Sequence, residues 1–346
     1  MGTGKQVIRI GFVGAGAIAR QRHLPALQAM DGVQIVAVCN RHRESAAAVA
    51  AGYGIPEVAG HWEDIVSRPD VDVVWIGTAP HLHAAVSIAA LQAGKHVFCQ
   101  ARMAMNLSEA KSMLAAAEAH PAQVTMLCPP PMALKHGLYF EKLLREHAIG
   151  RIYHFRLRAL TAQWADASAP AHWRQKRELS GNNILSVGIY GEVLGRFLGS
   201  PVSLIAHGRI FNENRHGYTV RIPDYVHVLG QWPGSVAGTL EWSGVAWHGG
   251  SEELEIFGSE GKLVYNFGND EILLGRSGDA RPNPVEVPRE FTRTWTVERD
   301  FIQAVRDLGH PEPSFRTGVR YMEFVEAIQR SMADQAWVPV MEEPRL

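Results

Sequence analysis

The sequence has few cysteines, almost no net charge and no long hydrophobic run. Only three cysteines occur among 346 residues. Cys39, Cys99 and Cys128 form no C-x-x-C pair, which excludes a disulfide framework and favours a cytoplasmic location. The 34 basic and 35 acidic side chains leave a net charge of −1, which argues against a nucleic-acid-binding surface. No run of about 18 apolar residues exists, so no membrane-spanning helix is predicted.

Histidine is unusually frequent, with 16 residues spread from His23 to His310. Metal binding needs ligands at characteristic spacings, and the close pair His81 and His83 has neither an H-E-x-x-H helix nor a cysteine partner. The sequence therefore predicts no metal site. Hydrophobic residues at 46% and charged residues at 20% are typical of a globular protein. The length predicts two domains of about 150 residues each.

Apolar runs alternate with amphipathic segments over residues 1–128, a pattern typical of a parallel α/β layer. Strands are predicted at residues 7–13, 33–39, 71–77, 95–99 and 123–128. Helices are predicted at 18–30, 44–51, 83–93 and 108–119. Ser108 is the expected N-cap of the last of these helices, because its hydroxyl can accept from a free backbone N–H.

The run Pro129-Pro130-Pro131 ends this pattern and predicts a domain boundary. Beyond it, strand-like segments dominate, and several alternate apolar with polar residues, as in a sheet with one covered face. These segments lie at residues 152–159, 202–209, 225–231, 236–242, 253–258 and 262–267. Helices are predicted at 134–146, 183–198, 297–308 and 319–333.

A glycine-rich turn follows the first strand and opens a helix. Gly14, Gly16 and Ala19 fit the spacing G-x-G-x-x-G/A. The first glycine permits a tight turn, and the second lets the backbone approach a pyrophosphate. The helix start at Ala17 and Ile18 then offers backbone amides and the positive end of the helix dipole to the phosphates. The sequence therefore predicts a dinucleotide site.

Discrimination between NAD and NADP is expected at the end of the second strand. The usual acidic residue, which would bind the ribose 2′-hydroxyl, is missing there, and the chain reads Asn40-Arg41 instead. Asn40 and Arg41 could accept a 2′-phosphate, with Arg41 as the charged donor. Alternatively, Arg41 faces solvent and stacks loosely on adenine. Both cofactors stay open, with NADP slightly favoured.

Several motifs together resemble the Gfo/Idh/MocA oxidoreductases. The resemblance implies an α/β protein with an N-terminal Rossmann domain at residues 1–128. It also implies, over residues 129–346, a substrate-binding α/β domain whose large, mainly antiparallel open sheet often forms homodimers or homotetramers. The nicotinamide side of the cofactor would be lined by Thr78, Ala79, Pro80 and His83. The motifs are the glycine turn and the segments 77–83, 93–99, 173–174, 179–181 and 255–261.

The expected catalytic residues of this family are replaced. Where the family usually has Glu-Lys-Pro after the fifth strand, this chain has Gln100-Ala101-Arg102. In the family motif Asp-x-Gly-x-His on the long helix of the second domain, Ser186 replaces the aspartate and Tyr190 replaces the histidine. Gln100 and Ala101 would still lie beside the cofactor. Hydride transfer to or from an alcohol needs a proton acceptor or donor, and Arg102 remains protonated at any working pH. We therefore predict that Tyr190 transfers the proton while Arg102 orients a substrate oxygen.

Aromatic and amide side chains in the second domain suit a carbohydrate-like ligand. The sequence thus predicts an NAD(P)-dependent oxidoreductase acting on a secondary alcohol or ketone of a sugar, sugar acid or cyclitol. Two alternatives stay open: an NAD-dependent lyase or glycosidase without net redox change, and a non-catalytic nucleotide- or sugar-binding protein. No nucleic-acid or membrane partner is expected. The predicted substrate residues are His154, Trp164, His172, Trp173, Arg174, Asn183 and Ser186.

Overall fold

The computed structural model describes residues 7–250 and 252–340. The described residues form two compact units, the first over residues 7–129 and 296–319 and the second over residues 130–250, 252–295 and 320–340. The sequence places residues 296–319 in the C-terminal domain, whereas the structure assigns them to the first unit. The reason is apolar packing: Phe301 lies edge-on against Trp75 and Phe98 in the core of that unit.

A six-stranded parallel sheet forms the first unit, in the order β3-β2-β1-β4-β5-β6. The predicted α/β class is confirmed here. The strongly apolar strands β1 and β4 lie in the centre, because both faces of a parallel sheet are covered. The strands are β1 (Ile8–Val13), β2 (Val33–Cys39), β3 (Glu57–Val58), β4 (Val73–Ile76), β5 (His96–Cys99) and β6 (Thr125–Leu127).

One strand, one helix and one helix cap of this unit differ from the sequence prediction. The short β3 and α3 were not predicted, because two and six residues carry little periodicity. The last Rossmann helix is capped by Asn106, whose side chain accepts from Glu109 N–H, and not by Ser108. The helices are α1 (Leu24–Gln28), α2 (Arg43–Tyr53), α3 (Trp62–Ser67), α4 (His83–Gln92) and α5 (Leu107–Ala119), and α9 (Val297–Asp307) returns to this unit.

The helix after the glycine turn begins as a π-helical turn, Ala19–His23, before continuing as α1. Leu24 N–H donates to Ala19 C=O, five residues back. Pro25 lies next in the chain and has no N–H, so it cannot make the regular bond four residues back. The wider turn carries the buried His23 side chain into the interior of the unit.

The second unit contains a nine-stranded sheet in the order β16-β15-β14-β13-β7-β12-β11-β8-β17. Its neighbours are antiparallel except for the parallel pair β7 and β12, which confirms the predicted, mainly antiparallel sheet. The strands are β7 (Ile152–Leu160), β8 (Ser203–Arg209), β11 (Tyr225–Trp232), β12 (Val236–Ser243), β13 (Glu253–Gly258), β14 (Gly261–Asn266), β15 (Glu271–Arg276), β16 (Asn283–Pro284) and β17 (Val338–Pro339). The strands β9 (Asn214–Arg215) and β10 (Tyr218–Thr219) form a separate hairpin.

Helices cover one face of this sheet. Period-two alternation directs residues such as Phe155 and Leu157 of β7 into the core, together with Tyr190 and Val193. The opposite face carries charged residues such as Arg156 and Arg158. The helices are α6 (Gly137–Arg145), α7 (Arg177–Ser180), α8 (Val187–Leu198) and α10 (Phe315–Asp334), and α10 contains the division between the units at residues 319–320.

The three cysteines are buried at or just after strand ends. Burial raises the pKa of all three thiols, so they stay protonated and pack as small apolar groups. Among the described residues, no helix is both long and apolar enough to cross a membrane. The same part of the chain contains no group of three or more residues suited to hold a metal ion.

Candidate functional site

The glycine turn lies between the ends of β2 and β4. Gly14 has φ +90°, and its N–H donates to Cys39 C=O at 2.8 Å. A Cβ at Gly14 would lie 2.6 Å from the backbone nitrogen of Thr78, and a Cβ at Gly77 would lie 2.4 Å from Gly14 oxygen. Real Cβ atoms do not approach other atoms so closely. The chain therefore needs glycine at both positions for its own packing.

Gly16 differs from Gly14 because no atom of the described residues lies close to it. A Cβ at Gly16 would meet none of these atoms within 4 Å, and the backbone has no positive φ there. Gly16, Ala17 and Ile18 are exposed at the start of the helix. This glycine leaves open space beside backbone amides, which is the arrangement that lets a pyrophosphate approach.

Asn40 supports the turn itself. Its Oδ1 accepts from Ala15 N–H at 2.7 Å, and its Nδ2 donates to Ser45 Oγ at 3.2 Å. The oxygen and one N–H of the amide are thus engaged within the protein. Asn40 supports the turn, and its contact with a 2′-phosphate stays a prediction. Arg41 is exposed directly beside it and keeps a charged guanidinium at the end of β2.

The loop after β4 contains a polar atom that the chain leaves unsatisfied. The Thr78 hydroxyl is buried and has no hydrogen-bond partner among the described residues. Because a buried hydroxyl without a partner is costly, this atom points to a ligand. The flanking Ala79 is half-buried and Pro80 is buried. The carboxyl ends of parallel strands are where such ligands bind.

His83 has a different role from the one predicted. It is fully buried. Its Nε2 lies 2.9 Å from the backbone oxygen of Thr78, and its Nδ1 lies 2.9 Å from the backbone oxygen of Arg102. Burial lowers the pKa of its imidazole. The side chain therefore joins two loops of the site and offers no surface to a cofactor.

The segment Gln100-Ala101-Arg102 follows β5 at the same edge of the sheet. Arg102 is only 6% exposed. The Gln100 side-chain nitrogen contacts His23 Nε2, and His23 Nδ1 contacts Glu298. This role of His23 and Glu298 has no signal in the sequence, because 275 positions separate the two residues and no local motif marks either one.

These features fit a dinucleotide. The edge of the sheet combines an unobstructed glycine, exposed amides at a helix start and a buried hydroxyl without a protein partner. Gly14, Gly16, Ala17, Ile18 and Thr78 would hold the cofactor. Bound there, a nicotinamide nucleotide supplies the hydride acceptor or donor of a redox reaction.

The prediction that Tyr190 transfers a proton is not supported. Tyr190 is 0% exposed in the core of the second unit, and its hydroxyl donates to Glu252 Oε2 at 2.8 Å. Burial and the neighbouring Glu252 charge raise the pKa of the phenol. A phenol that is buried, already donating and harder to ionise is a poor general base. Tyr190 packs against Phe267 and acts as a structural residue.

Replacing Tyr190 with phenylalanine should therefore affect stability rather than chemistry. We expect Tyr190→Phe to lower the free energy of unfolding by about 1.5–3 kcal/mol, the value of one hydrogen bond to a charged acceptor. Turnover should stay within about twofold, since the ring packing is kept. Denaturant unfolding and steady-state kinetics measure the two effects.

Tyr265→Phe is the matched control, because its buried hydroxyl likewise donates to a carboxylate, Asp270, at 2.8 Å. The two variants should behave alike. A loss of turnover of about a hundredfold in Tyr190→Phe alone would restore the proton-transfer role.

The structure separates the predicted substrate residues. Trp164 and Asn183 are buried in the second unit, so they support the fold instead of contacting a ligand. His154 lies on the open face of the sheet, stacked on Phe257 at 4.6 Å, whereas its neighbour Phe155 faces the core. Because successive side chains of a strand point to opposite faces, His154 does not lie with the predicted substrate residues that are buried in the core.

Four predicted substrate residues keep accessible surface: His172, Trp173, Arg174 and Ser186. The Arg174 guanidinium lies over the Trp173 ring at 4.4 Å, and His172 Nδ1 accepts from Arg174 N–H. Burial lowers the pKa of Arg174. An indole face beside a guanidinium can stack on a sugar ring and donate to its oxygens. Ser186 is half-buried directly before α8.

Arg215 orders the segment that precedes these residues, a role with no sequence signal. It is 1% exposed, and its guanidinium donates to the backbone oxygens of Trp164, Asp166 and Ala169. Its position in the two-residue strand β9 has no periodicity to mark it as buried. A cation inside the protein is tolerated because carbonyl oxygens surround it.

The parallel sheet with its glycine turn, and the large mixed sheet of the second unit, define a two-domain NAD-binding oxidoreductase. Comparison with protein families agrees. Residues 8–127 match the model described as an oxidoreductase family with an NAD-binding Rossmann fold. Residues 138–264 match the Gfo/Idh/MocA C-terminal domain.

Two curated relatives match almost the whole chain. Levoglucosan dehydrogenase of Pseudarthrobacter phenanthrenivorans is 26% identical over 97% of this chain and 98% of its own length. A dTDP-3,4-didehydro-2,6-dideoxy-alpha-D-glucose 3-reductase of Streptomyces antibioticus is 30% identical over 93% of this chain and 96% of its own. The chain therefore belongs to the Gfo/Idh/MocA oxidoreductase family.

Solved structures give the same result. A levoglucosan dehydrogenase in complex with NADH and levoglucosan superposes with a TM-score of 0.86 at 25% identity. The match covers 97% of this chain and 100% of that one.

Proposed function

We propose that this protein is an NAD(P)-dependent oxidoreductase that interconverts a secondary alcohol and a ketone on a sugar, sugar acid or cyclitol. The observation that carries the proposal is the combination of Gly16 in open space with the buried, unpartnered Thr78 hydroxyl. Both indicate a ligand at the carboxyl edge of the parallel sheet. Sugar substrates are proposed because two relatives that match nearly the full chain are named for sugar derivatives.

Three residues of this chain would bind and orient the sugar substrate. Trp173 offers its ring face, and Arg174 offers guanidinium N–H groups to hydroxyl or carboxylate oxygens. Arg102 would orient a substrate oxygen, as the sequence predicts. We do not assign the proton transfer to Tyr190, because its buried hydroxyl already donates to Glu252.

A panel of sugars, sugar acids and cyclitols, including levoglucosan, tests the activity by nicotinamide absorbance with the purified protein. Stoichiometric reduction of the cofactor by one of these alcohols supports the proposal. Product release without net cofactor change would indicate the lyase or glycosidase alternative instead. Tight cofactor binding with no turnover on the whole panel would indicate a binding protein.

NADP is the cofactor we favour slightly over NAD, although a similar solved structure holds NADH. The reason is Arg41, exposed at the end of β2 where no carboxylate is present to bind a ribose 2′-hydroxyl. With Asn40 engaged in the turn, Arg41 is the group that would bind a 2′-phosphate.

Arg41→Ala should therefore weaken NADPH binding by about tenfold or more, because a charge-assisted contact to phosphate is lost. NADH binding should change by less than about twofold. Nicotinamide fluorescence titrations measure both constants, and Arg43→Ala, an exposed arginine two positions on, is the control. If Arg41→Ala weakened the binding of NADPH and NADH equally, Arg41 would stack on adenine and would not bind the 2′-phosphate.

We also propose a homodimer or homotetramer. The open face of the nine-stranded sheet carries both ion pairs and exposed apolar side chains. Arg156 pairs with Glu255, and Leu229 is 44% exposed. A sheet face of this kind suits contact with a second copy. Light scattering coupled to gel filtration measures the mass, and a monomer at micromolar concentration would refute the proposal.

A further inference from the structure

The nucleotide-binding unit contains a buried acid–histidine pair that the proposed chemistry leaves unused. His23 Nδ1 contacts Glu298 Oε1, and the two side chains are 0% and 2% exposed. On the other side of the ring, His23 Nε2 contacts the side-chain nitrogen of Gln100. This chain of three residues ends directly after β5, at the edge of the sheet where the cofactor is proposed to bind.

Aromatic rings enclose the pair. The His23 ring lies 5.1 Å from the Trp75 ring and 5.6 Å from the Phe98 ring, and Phe301 packs against both of these. The imidazole therefore has little freedom to rotate. Hydrogen bonds in such apolar surroundings are stronger than in water, and losing one partner is costly.

We propose that Glu298 and His23 are positioning residues that orient the Gln100 amide, so that its carbonyl oxygen Oε1 is presented to the bound cofactor. This inference rests on the proposed binding of a nicotinamide nucleotide. The matching group on the cofactor is a hydrogen-bond donor, either a ribose hydroxyl or the carboxamide N–H₂. The family's usual glutamate is replaced here by an amide, which can be held in either of two orientations.

The orientation follows from donors and acceptors along the chain. A carboxylate only accepts, so His23 carries its proton on Nδ1 and donates to Glu298. Its Nε2 then holds a lone pair and accepts from the Gln100 side-chain N–H₂. This leaves Gln100 Oε1 pointing away from His23 as an acceptor. A second proton on His23 would reverse the order, because Nε2 would then require the amide oxygen.

The charged and titratable neighbours of the pair are consistent with an anionic Glu298. Burial and then the charge of Glu298 raise the pKa of the Cys128 thiol, while the charge of Arg22 lowers it. Cys128 therefore stays neutral, and Arg22 adds positive charge next to His23 in the chain. The imidazole also contacts the rings of Trp75 and Phe98, which do not titrate.

Cofactor binding tests the orientation. We expect Gln100→Leu and Glu298→Gln each to weaken NADH and NADPH binding about tenfold at neutral pH, as for one lost hydrogen bond. Asp300→Asn, an exposed acid-to-amide change on the same helix, should bind like the wild type.

The possible outcomes are distinct. Gln100→Leu with wild-type affinity for both nucleotides overturns the inference, whereas a wild type that binds neither nucleotide overturns the proposed function. The tautomer of His23, read by long-range ¹H–¹⁵N NMR, tests the pair without cofactor and without a destabilising variant. A protonated Nδ1 with a bare Nε2 is expected at neutral pH, and a doubly protonated ring refutes the proposal.

Discussion

Replacing Gly14 with alanine is expected to destabilise the nucleotide-binding unit strongly. The backbone there has φ +90°, and a Cβ would lie 2.6 Å from both the nitrogen and Cγ2 of Thr78. The unfavourable backbone conformation costs an L-residue about 1–2 kcal/mol, and the clash adds to it because the Thr78 backbone cannot move freely. We expect Gly14→Ala to lose about 3 kcal/mol or more, as measured by denaturant unfolding.

Gly16→Ala is the matched comparison, because the same methyl group would meet no atom of the chain. Its free energy of unfolding should stay within about 1 kcal/mol of the wild type, the ordinary range for an exposed glycine-to-alanine change. Cofactor affinity should nevertheless fall by at least about tenfold, since the methyl group occupies the approach of the pyrophosphate. If Gly16→Ala bound cofactor normally, the phosphates would not lie at this turn.

Removing the Arg215 guanidinium is the second change with a large expected effect. Arg215→Met keeps most of the buried volume but removes the three guanidinium hydrogen bonds to the backbone oxygens of Trp164, Asp166 and Ala169. The Trp164 oxygen keeps the Asn212 amide as a donor, and the Asp166 oxygen keeps the Ala169 N–H. At about 1 kcal/mol for each lost hydrogen bond, the second unit should lose about 3 kcal/mol of stability. Thermal unfolding measures this loss.

The same variant should weaken substrate binding, because residues 164–169 lead into Trp173 and Arg174. We expect KM for a sugar substrate to rise several-fold with a smaller change in kcat. Arg221→Met, an exposed arginine six positions away, should change neither quantity. Full stability of Arg215→Met would mean that water replaces the guanidinium at these oxygens.

The nucleotide-binding half was predictable because its signals are local. The apolar runs that become β1, β2, β4 and β5 are short and continuous, and the glycine spacing lies within six residues of β1. The segment 296–319 was assigned to the wrong unit, since nothing within α9 indicates that its apolar face packs with Trp75 and Phe98.

The substrate half was predictable as a sheet but not as a site. The alternation in β7 predicts a strand. Only the structure shows that Phe155 faces the core while His154 lies on the open face of the sheet. Tyr190 occupies a motif position in the sequence, and only the folded chain places its hydroxyl against Glu252 inside the core.

The sequence by itself determined the parallel sheet, the glycine turn and the mainly antiparallel second sheet, because periodicity and backbone requirements act over a few neighbouring residues. The tertiary structure alone decided which polar groups are committed inside the protein. Tyr190, His83 and Asn40 became structural, while His23 and Glu298 came together across 275 positions. Burial and hydrogen-bond satisfaction depend on residues that are distant in the chain, and no local pattern contains that information.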